Sequence, residues 1–113
     1  MLDDLARRSP VPVTISCPPE RYPPAVEFTC WLVIAEAVVN AQKHALAERL
    51  TVDVVHTSDE LRIRVHDDGR GGADPGGLGL HGLRDRVEAA GGQARIHSDH
   101  TGTTIEATVP CAS

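Results

Sequence analysis

The chain has 113 residues and a formal net charge of −5 at neutral pH, and hydrophobic and charged residues make up 41% and 24% of it. This composition is typical of a single globular domain that is long enough to bury a hydrophobic core. The negative charge argues against a general nucleic-acid binder, no apolar run reaches the ~18–20 residues of a membrane span, and no secretory signal is visible, so we expect a cytoplasmic domain.

The first part of the chain is predicted to be a linker followed by an edge strand. Residues 1–10 contain LDDLARRSP, which is typical of a connector that enters from an upstream region. Val11, Val13 and Ile15 alternate with proline or polar residues, and this alternation predicts a strand. Because Pro12 has no N–H to donate to a neighbouring strand, we place this strand at the edge of a sheet.

A long helix is predicted from Phe28 to His44, because this segment contains neither glycine nor proline and is apolar almost all round as far as Val39. Pro23 or Pro24 is well placed to begin the helix, since the N–H groups of the first helical turn have no partner within the helix. A helix that is apolar on most sides is predicted to be buried.

Four polar residues share one face of this predicted helix, at spacings of four, seven and eight from the first: Glu36, Asn40, Lys43 and His44. Burying such groups without partners costs roughly 1–3 kcal/mol each, so we expect this face to meet a ligand. The alternative is that the four residues form the solvated face of an ordinary amphipathic helix.

Two strands joined by a short turn are predicted next. The first has alternating apolar residues at Leu50, Val52 and Val54, and the second at Leu61, Ile63 and Val65. The four residues 57–60 between them, TSDE, are typical of a hairpin turn.

A second helix and a closing hairpin are predicted at the end of the chain. Residues 83–90, LRDRVEAA, form the helix, and the following Gly91 and Gly92 can adopt the left-handed conformation that ends it. Residues 93–98 and 103–109 form the hairpin, with Gly102 in its turn and with a buried side made of Ile105, Ala107 and Val109.

These elements predict a two-layer α/β sandwich in which helices cover one face of a mixed, mostly antiparallel sheet. The opposite face of the sheet is expected to meet solvent or an interface, and its predicted members are His56, Arg62, Arg64, His66 and Glu106. The three cysteines are odd in number and fit no paired metal spacing, so we expect Cys17, Cys30 and Cys111 to be reduced and structural.

Seven of the chain's ten glycines lie in residues 67–82, which predicts a loop with a binding function rather than a simple connection. Asp67, Gly69 and Gly71 form D-x-G-x-G at the end of a strand, although Asp-Gly is also typical of an ordinary turn. A second cluster leads into a helix whose first N–H groups can bind an anion, and it contains Gly77, Gly79 and Gly82. Both clusters come too late in the chain for a Rossmann fingerprint.

Taken together, these motifs resemble the ATP-binding catalytic domain of sensor histidine kinases, in the superfamily of gyrase-type ATPases, ninety-kilodalton heat-shock chaperones and MutL proteins. The likeness covers nearly the whole chain and implies a Bergerat-type ATP-binding fold. Four segments carry it: EAVVNAQKHA (36–45) resembles the N box, DDGRGG (67–72) and GLGLHGL (77–83) the two glycine boxes, and GTTIEATVP (102–110) the closing strand. The sequence of residues 77–92 is most similar to that of the nitrate and cell-envelope stress sensors. This likeness implies that the lid, the loop that would cover the nucleotide, is short.

The resemblance implies a role for each residue at the adenine end of the site. The carboxylate of Asp67 would accept a hydrogen bond from the adenine amino group, and Thr103 would assist from the closing strand. Gly69 and Gly71 would let the backbone approach the base. Asp68 is more typical of turn hydrogen bonding than of ligand binding.

At the phosphate end, the resemblance implies that Asn40 binds Mg²⁺, that Lys43 and His44 contact phosphate oxygens, and that Glu36 orients water or a group at the γ-phosphate. Glu36, Asn40 and Lys43 are therefore the predicted catalytic residues. The second glycine box would close over the phosphates. Its predicted contacts are Gly77, Leu78, Gly79, Leu80, His81 and Gly82. His81 is equally well explained as a residue that faces solvent.

The implied function is that of a kinase domain that presents Mg-ATP to a histidine on an upstream dimerisation and phosphoacceptor domain, with a response regulator downstream. Residues 1–10 would be the linker to that upstream domain, and residues 1–113 the catalytic domain itself, monomeric when isolated. We expect no nucleic-acid partner and no direct membrane contact, although the parent protein can still be a membrane-anchored sensor. An anti-sigma-factor-type serine kinase and a module that only binds or hydrolyses ATP are the alternatives.

Overall fold

The structure is a computed structural model, and it describes residues 12–17, 22–40, 49–57, 59–68, 80–99 and 102–111. The elements along these residues are β1 (Val13–Ser16), α1 (Pro24–Asn40), β2 (Leu50–Thr57), β3 (Glu60–Asp67), α2 (Leu80–Ala89), β4 (Gln93–Asp99) and β5 (Gly102–Pro110). The predicted linker, residues 1–10, lies outside the described residues.

The five strands form one sheet in the order β1-β2-β3-β5-β4. β1 pairs with β2 in parallel, and the other three neighbouring pairs are antiparallel. The mixed, mostly antiparallel sheet and the edge position of β1 are therefore confirmed. β3 and β5 lie side by side near the middle of the sheet, so the ends of these two strands are held by neighbours on both sides.

The hydrophobic core lies between the sheet and the two helices and is built from aliphatic side chains. Every residue predicted to face inward from β2, β3 and β5 is buried, and these residues are Leu50, Val52, Val54, Leu61, Ile63, Val65, Ile105, Ala107 and Val109. α1 contributes Val33 and Ile34, and α2 contributes Leu83 and Val87, all of them at most 2% exposed. Burying a side chain of this kind contributes about 1.5–3 kcal/mol, so this layer dominates the stability of the fold.

α1 begins at Pro24, which is earlier than the predicted start at Phe28 and agrees with the predicted role of the prolines. The carbonyl of Pro23 accepts hydrogen bonds from the N–H groups of Val26 and Glu27, at 2.9 and 3.1 Å. The Glu27 carboxylate in turn accepts the backbone N–H of Tyr22 at 3.1 Å, and this contact fixes the entry into the helix. Within the described residues, neither helix is long and apolar enough to cross a bilayer.

The cysteines are free thiols, with Cys17 exposed and Cys30 buried in the core face of α1. Burial, with smaller contributions from Cys17 and Glu27, raises the pKa of the Cys30 thiol to about 11. The Cys30 thiol therefore stays protonated at neutral pH, which agrees with a structural rather than a reactive role.

One face assignment from the sequence is wrong. His56 pairs with Leu61, whose side chain belongs to the buried layer, so His56 points to the helix-covered face and not to the opposite one. Its ring packs edge-on against Tyr22, with the ring centroids 5.4 Å apart. His56 is nonetheless exposed because it lies near the end of β2, beyond the last buried residue of that strand, Val54.

α2 ends in the glycine cap that the sequence predicts. Gly91 has a φ of 84°, in the left-handed region, and its N–H donates to the carbonyl of Glu88 at 2.9 Å. The N–H of Gly92 donates to the carbonyl of Val87, also at 2.9 Å. This pair of bonds is the Schellman motif, which satisfies the last carbonyls of the helix and turns the chain into β4.

Candidate functional site

The centre of the candidate site is a buried carboxylate at the end of β3. Asp67 is the last residue of that strand and pairs with Thr103 on β5. The backbone N–H of Thr103 donates to Oδ1 of Asp67 at 3.2 Å. Both residues are almost fully buried, with 3% and 2% of their surfaces exposed. Because two central strands fix its position, this carboxylate is an oriented hydrogen-bond acceptor where the chain enters the first glycine box.

Gly102 brings β5 close to this carboxylate, which is more than the turn role that the sequence predicts for it. It opens β5 with a φ of 136°, a conformation that residues with a side chain rarely adopt. A Cβ atom added there would lie 1.9 Å from the backbone carbonyl oxygen of Asp67. The glycine at the first position of the closing strand is the sequence signal of this close approach.

Replacing Gly102 with Ala is therefore expected to destabilise the fold strongly. The unfavourable φ alone costs about 1–3 kcal/mol, and the overlap with the Asp67 carbonyl adds to that cost. Urea denaturation measures the change in the free energy of unfolding. Gly82→Ala is the matched control, because a Cβ there meets no atom within 4 Å and alanine is the better helix former. Equal stability of the two variants would contradict the close approach at Gly102.

Asp68 has a structural role, as its sequence context predicts. Its Oδ1 accepts the backbone N–H of Arg49 at 2.9 Å, and its own N–H donates to the carbonyl of Arg49 at 3.3 Å. These bonds hold the end of β3 against the beginning of β2. Asp68 is exposed, whereas Asp67 is buried, so the two adjacent aspartates are clearly distinguished by their environments.

A second part of the candidate site lies between the two helices. Glu36 is half-buried on α1 and lines a cleft of about 110 Å³ together with Leu32 and three residues of α2: Gly82, Leu83 and Arg86. The structure thus brings the N-box glutamate against the last glycine of the second glycine box. Sequence reasoning missed Arg86, although it lies four residues after Gly82 and so on the same side of α2.

The remaining predicted residues are placed only in part. Asn40 ends α1 one helical turn beyond Glu36. α2 begins at Leu80, ahead of residues 83–90 that the sequence pattern assigns to this helix, so His81 lies in its first turn. The other predicted contacts lie outside the described residues, and they are Lys43, His44, Gly69, Gly71, Gly77, Leu78 and Gly79.

The described residues fit the predicted nucleotide. A buried, fixed carboxylate is the acceptor that an exocyclic amino group requires, and Asp67 supplies one. In the described part of the chain, no three or more His, Cys, Asp or Glu side chains are grouped so as to hold a metal ion.

Comparison with known proteins identifies the family. Residues 26–113 match the model of the histidine kinase-, DNA gyrase B- and HSP90-like ATPases. The chain is 31% identical over 96 residues to the histidine-protein kinase/phosphatase DegS of Brevibacillus brevis, matching 80% of this chain and 25% of DegS. It is 35% identical over 85 residues to UhpB of Salmonella typhimurium, a kinase/phosphatase of the same kind, matching 73% of this chain and 17% of UhpB. It thus spans about a quarter or less of these two relatives.

Solved structures show the same fold. The blue-light activated histidine kinase EL346 of Erythrobacter litoralis superposes with a TM-score of 0.82 at 23% identity, covering 98% of this chain and 41% of that one. The histidine kinase AdeS of Acinetobacter baumannii gives a TM-score of 0.74 at 15% identity, covering 99% and 60%. The predicted α/β sandwich and histidine-kinase-type ATPase domain are confirmed: the chain belongs to the family of histidine kinase-, DNA gyrase B- and HSP90-like ATPases.

Proposed function

We propose that this domain binds Mg-ATP and holds it for transfer of the γ-phosphoryl group to a histidine on a separate dimerisation domain. The observation that carries the proposal is the buried Asp67 carboxylate, fixed by the Thr103 amide at the start of the first glycine box. The kinship with sensor histidine kinases supports it, since DegS and UhpB are named signal transduction histidine-protein kinase/phosphatases.

Asp67 and Thr103 would select the base. A carboxylate has two acceptor oxygens, and the hydrogen bond from the Thr103 N–H to Oδ1 orients the carboxylate of Asp67. Adenine presents an amino group to such an acceptor, whereas guanine presents a carbonyl oxygen at the equivalent position of its ring. Burial strengthens this discrimination, because a carbonyl facing a desolvated carboxylate would leave two acceptors in contact without a proton between them.

The residues of α1 would act at the phosphate end. When bound, Mg-ATP supplies the transferable phosphoryl group, so the work of this chain is positioning and charge neutralisation. Asn40 would hold the metal ion, Lys43 and His44 would contact phosphate oxygens, and Glu36 would orient water or the acceptor at the cleft that it shares with Gly82. Arg86 lines the same cleft and supplies a positive charge there.

The acceptor histidine and the response regulator belong to this proposal as partners. The likeness to nitrate and cell-envelope stress sensors also stays a prediction. The chain spans about a quarter or less of DegS and UhpB, so the activity and partners of the whole protein stay part of the proposal.

Replacing Asp67 with Asn is expected to weaken ATP binding. Asparagine keeps the shape and one oxygen for the Thr103 N–H, but it places an NH₂ donor against the adenine amino group. Mismatching a buried polar group costs roughly 1–3 kcal/mol, which corresponds to a loss of about 5-fold to 150-fold in affinity. Titration calorimetry with ATP and Mg²⁺ measures the dissociation constant.

The matched control is Asp68→Asn at the neighbouring position. It makes the same chemical change at an exposed residue that bonds to the backbone of Arg49, so ATP affinity should stay within about twofold. Unchanged affinity in Asp67→Asn, or an equal loss in both variants, would contradict the assignment of Asp67 to adenine.

A further inference from the structure

The face of the sheet opposite the helices carries charged residues that the nucleotide site does not use. We define the outer face by its two central rows, which run across the strands. One row contains Asp53, Arg64, Glu106 and Arg95, and the next contains Val55, Arg62, Thr108 and Gln93. Most of these side chains are exposed, and none contributes to the hydrophobic core.

The charges in these rows are unevenly compensated. Arg64 pairs in register with both Asp53 and Glu106, and its Nε lies 3.4 Å from Oε1 of Glu106. Arg95 also pairs in register with Glu106, on the other side of β5, whereas Arg62 pairs with the uncharged Val55 and Thr108. Among the residues that the structure describes, neither Arg62 nor Arg95 forms an ion pair. The centre of the outer face therefore presents two guanidinium groups that form no ion pair with any described residue.

Arg62 and Arg95 line one groove. It has a volume of about 350 Å³, and its walls are formed by Arg62, Gln93, Arg95, Glu106, Ala107 and Thr108. This size falls in the range of about 300–1,000 Å³ that is typical of ligand sites. Besides the two guanidinium groups, the Gln93 amide and the Thr108 hydroxyl can donate hydrogen bonds, and the Glu106 carboxylate in the same groove accepts them.

The groove is separate from the candidate nucleotide site. Arg62 and Asp67 lie five residues apart on β3, which corresponds to roughly 17 Å along a strand, and their side chains point to opposite faces. A ligand in the groove and a nucleotide at Asp67 would therefore not touch.

We propose that this groove binds an acidic peptide segment of a partner protein, with its carboxylates on Arg62 and Arg95. Guanidinium groups bind carboxylates through paired, charge-assisted hydrogen bonds. Arg62 lies on β3 and Arg95 on β4, with β5 between them, and Arg95 is two residues along β4 from the position level with Arg62. Their Cα atoms are therefore separated by about 12 Å. Acidic side chains at alternate positions of an extended peptide are about 7 Å apart, a distance that the two long arginine side chains can bridge.

Other ligand classes fit the groove less well. A nucleic acid requires basic side chains along many phosphates, whereas the groove offers two arginines. A membrane surface would require an apolar rim, and the groove is lined mainly by polar side chains. A peptide also offers backbone carbonyls to the Gln93 amide and the Thr108 hydroxyl.

The test is the fluorescence anisotropy of a labelled hexaglutamate peptide titrated with the intact chain at low ionic strength. We expect saturable binding that weakens at least tenfold in Arg62→Gln/Arg95→Gln and that weakens as salt is added. Hexaglutamine with the same label should not bind. Because a chain of net charge −5 repels a polyanion as a whole, saturable binding requires a local positive site.

Two control variants make the test specific. Arg49→Gln removes the same charge at an exposed residue at the other end of the sheet, and Asp67→Asn alters the candidate nucleotide site, so both should bind hexaglutamate like the unmodified chain. Binding that is absent at about 1 mM protein, unchanged in the double variant, or equally reduced by Arg49→Gln would overturn the proposal. Because Arg62 and Arg95 are exposed, the double variant should fold, and the single variants should each lose part of the affinity.

Discussion

The isolated chain is expected to bind ATP without phosphorylating itself. Rapid phosphoryl transfer requires an acceptor held in line with the γ-phosphate, and such positioning is worth an effective concentration of up to about 10⁵–10⁸ M. The acceptor histidine of a sensor kinase lies on a helix beside an acidic residue. The described strands contain His56, His66 and His97, and His81 lies in the first turn of α2, directly before Gly82, so none of these has that setting. Only slow hydrolysis should remain.

The measurement uses γ-labelled ATP and Mg²⁺, with the chain alone and with a helical phosphoacceptor domain supplied as a separate polypeptide. Acid-labile label should appear on the added domain, and a variant of that domain without its histidine is the control. Acid-stable label on a partner would instead favour the serine-kinase alternative. Acid-labile label on the isolated chain, at the rate seen with the acceptor domain present, would contradict the need for a separate acceptor.

Replacing Asn40 with Ala is expected to reduce phosphoryl transfer by at least about 100-fold, because a metal ion contributes several kcal/mol of charge stabilisation to the transition state. Adenosine has no phosphates, so its affinity should stay unchanged while ATP binding loses its dependence on Mg²⁺. The position of Asn40 at the end of α1, one turn beyond the cleft residue Glu36, is the structural reason to expect this separation. Titration calorimetry with ATP and with adenosine, each with and without Mg²⁺, measures the two affinities.

Val39→Ala is the matched control, since it shortens the neighbouring side chain at a 40% exposed position and removes no polar group. It should retain both the transfer rate and the Mg²⁺ dependence. If Asn40→Ala weakened adenosine and ATP equally, the cause would be a damaged fold, and the assignment of the metal ion to Asn40 would fail.

The residues that form the buried face of the sheet could be predicted from the amino-acid sequence. Apolar side chains occur at every second residue along β2, β3 and β5, and successive side chains of a strand point to opposite faces of the sheet. This pattern is a local property of the sequence and does not depend on how the strands pair. The edge position of β1 could also be predicted from a single residue, Pro12, because proline has no backbone N–H group to donate to a neighbouring strand. The family followed from motifs whose order and spacing are visible in the chain.

Contacts between residues that are distant in the chain could be identified only from the folded structure. The pairing of Asp67 with Thr103 depends on strand register between segments 36 residues apart, and the positive φ of Gly102 depends on how closely β5 approaches that pair. His56 was assigned to the wrong face because its polarity suggested solvent, whereas its pairing with Leu61 places it on the core side. The cleft between Glu36 and Arg86 and the groove between Arg62 and Arg95 depend on packing between elements, and local sequence patterns do not encode such contacts.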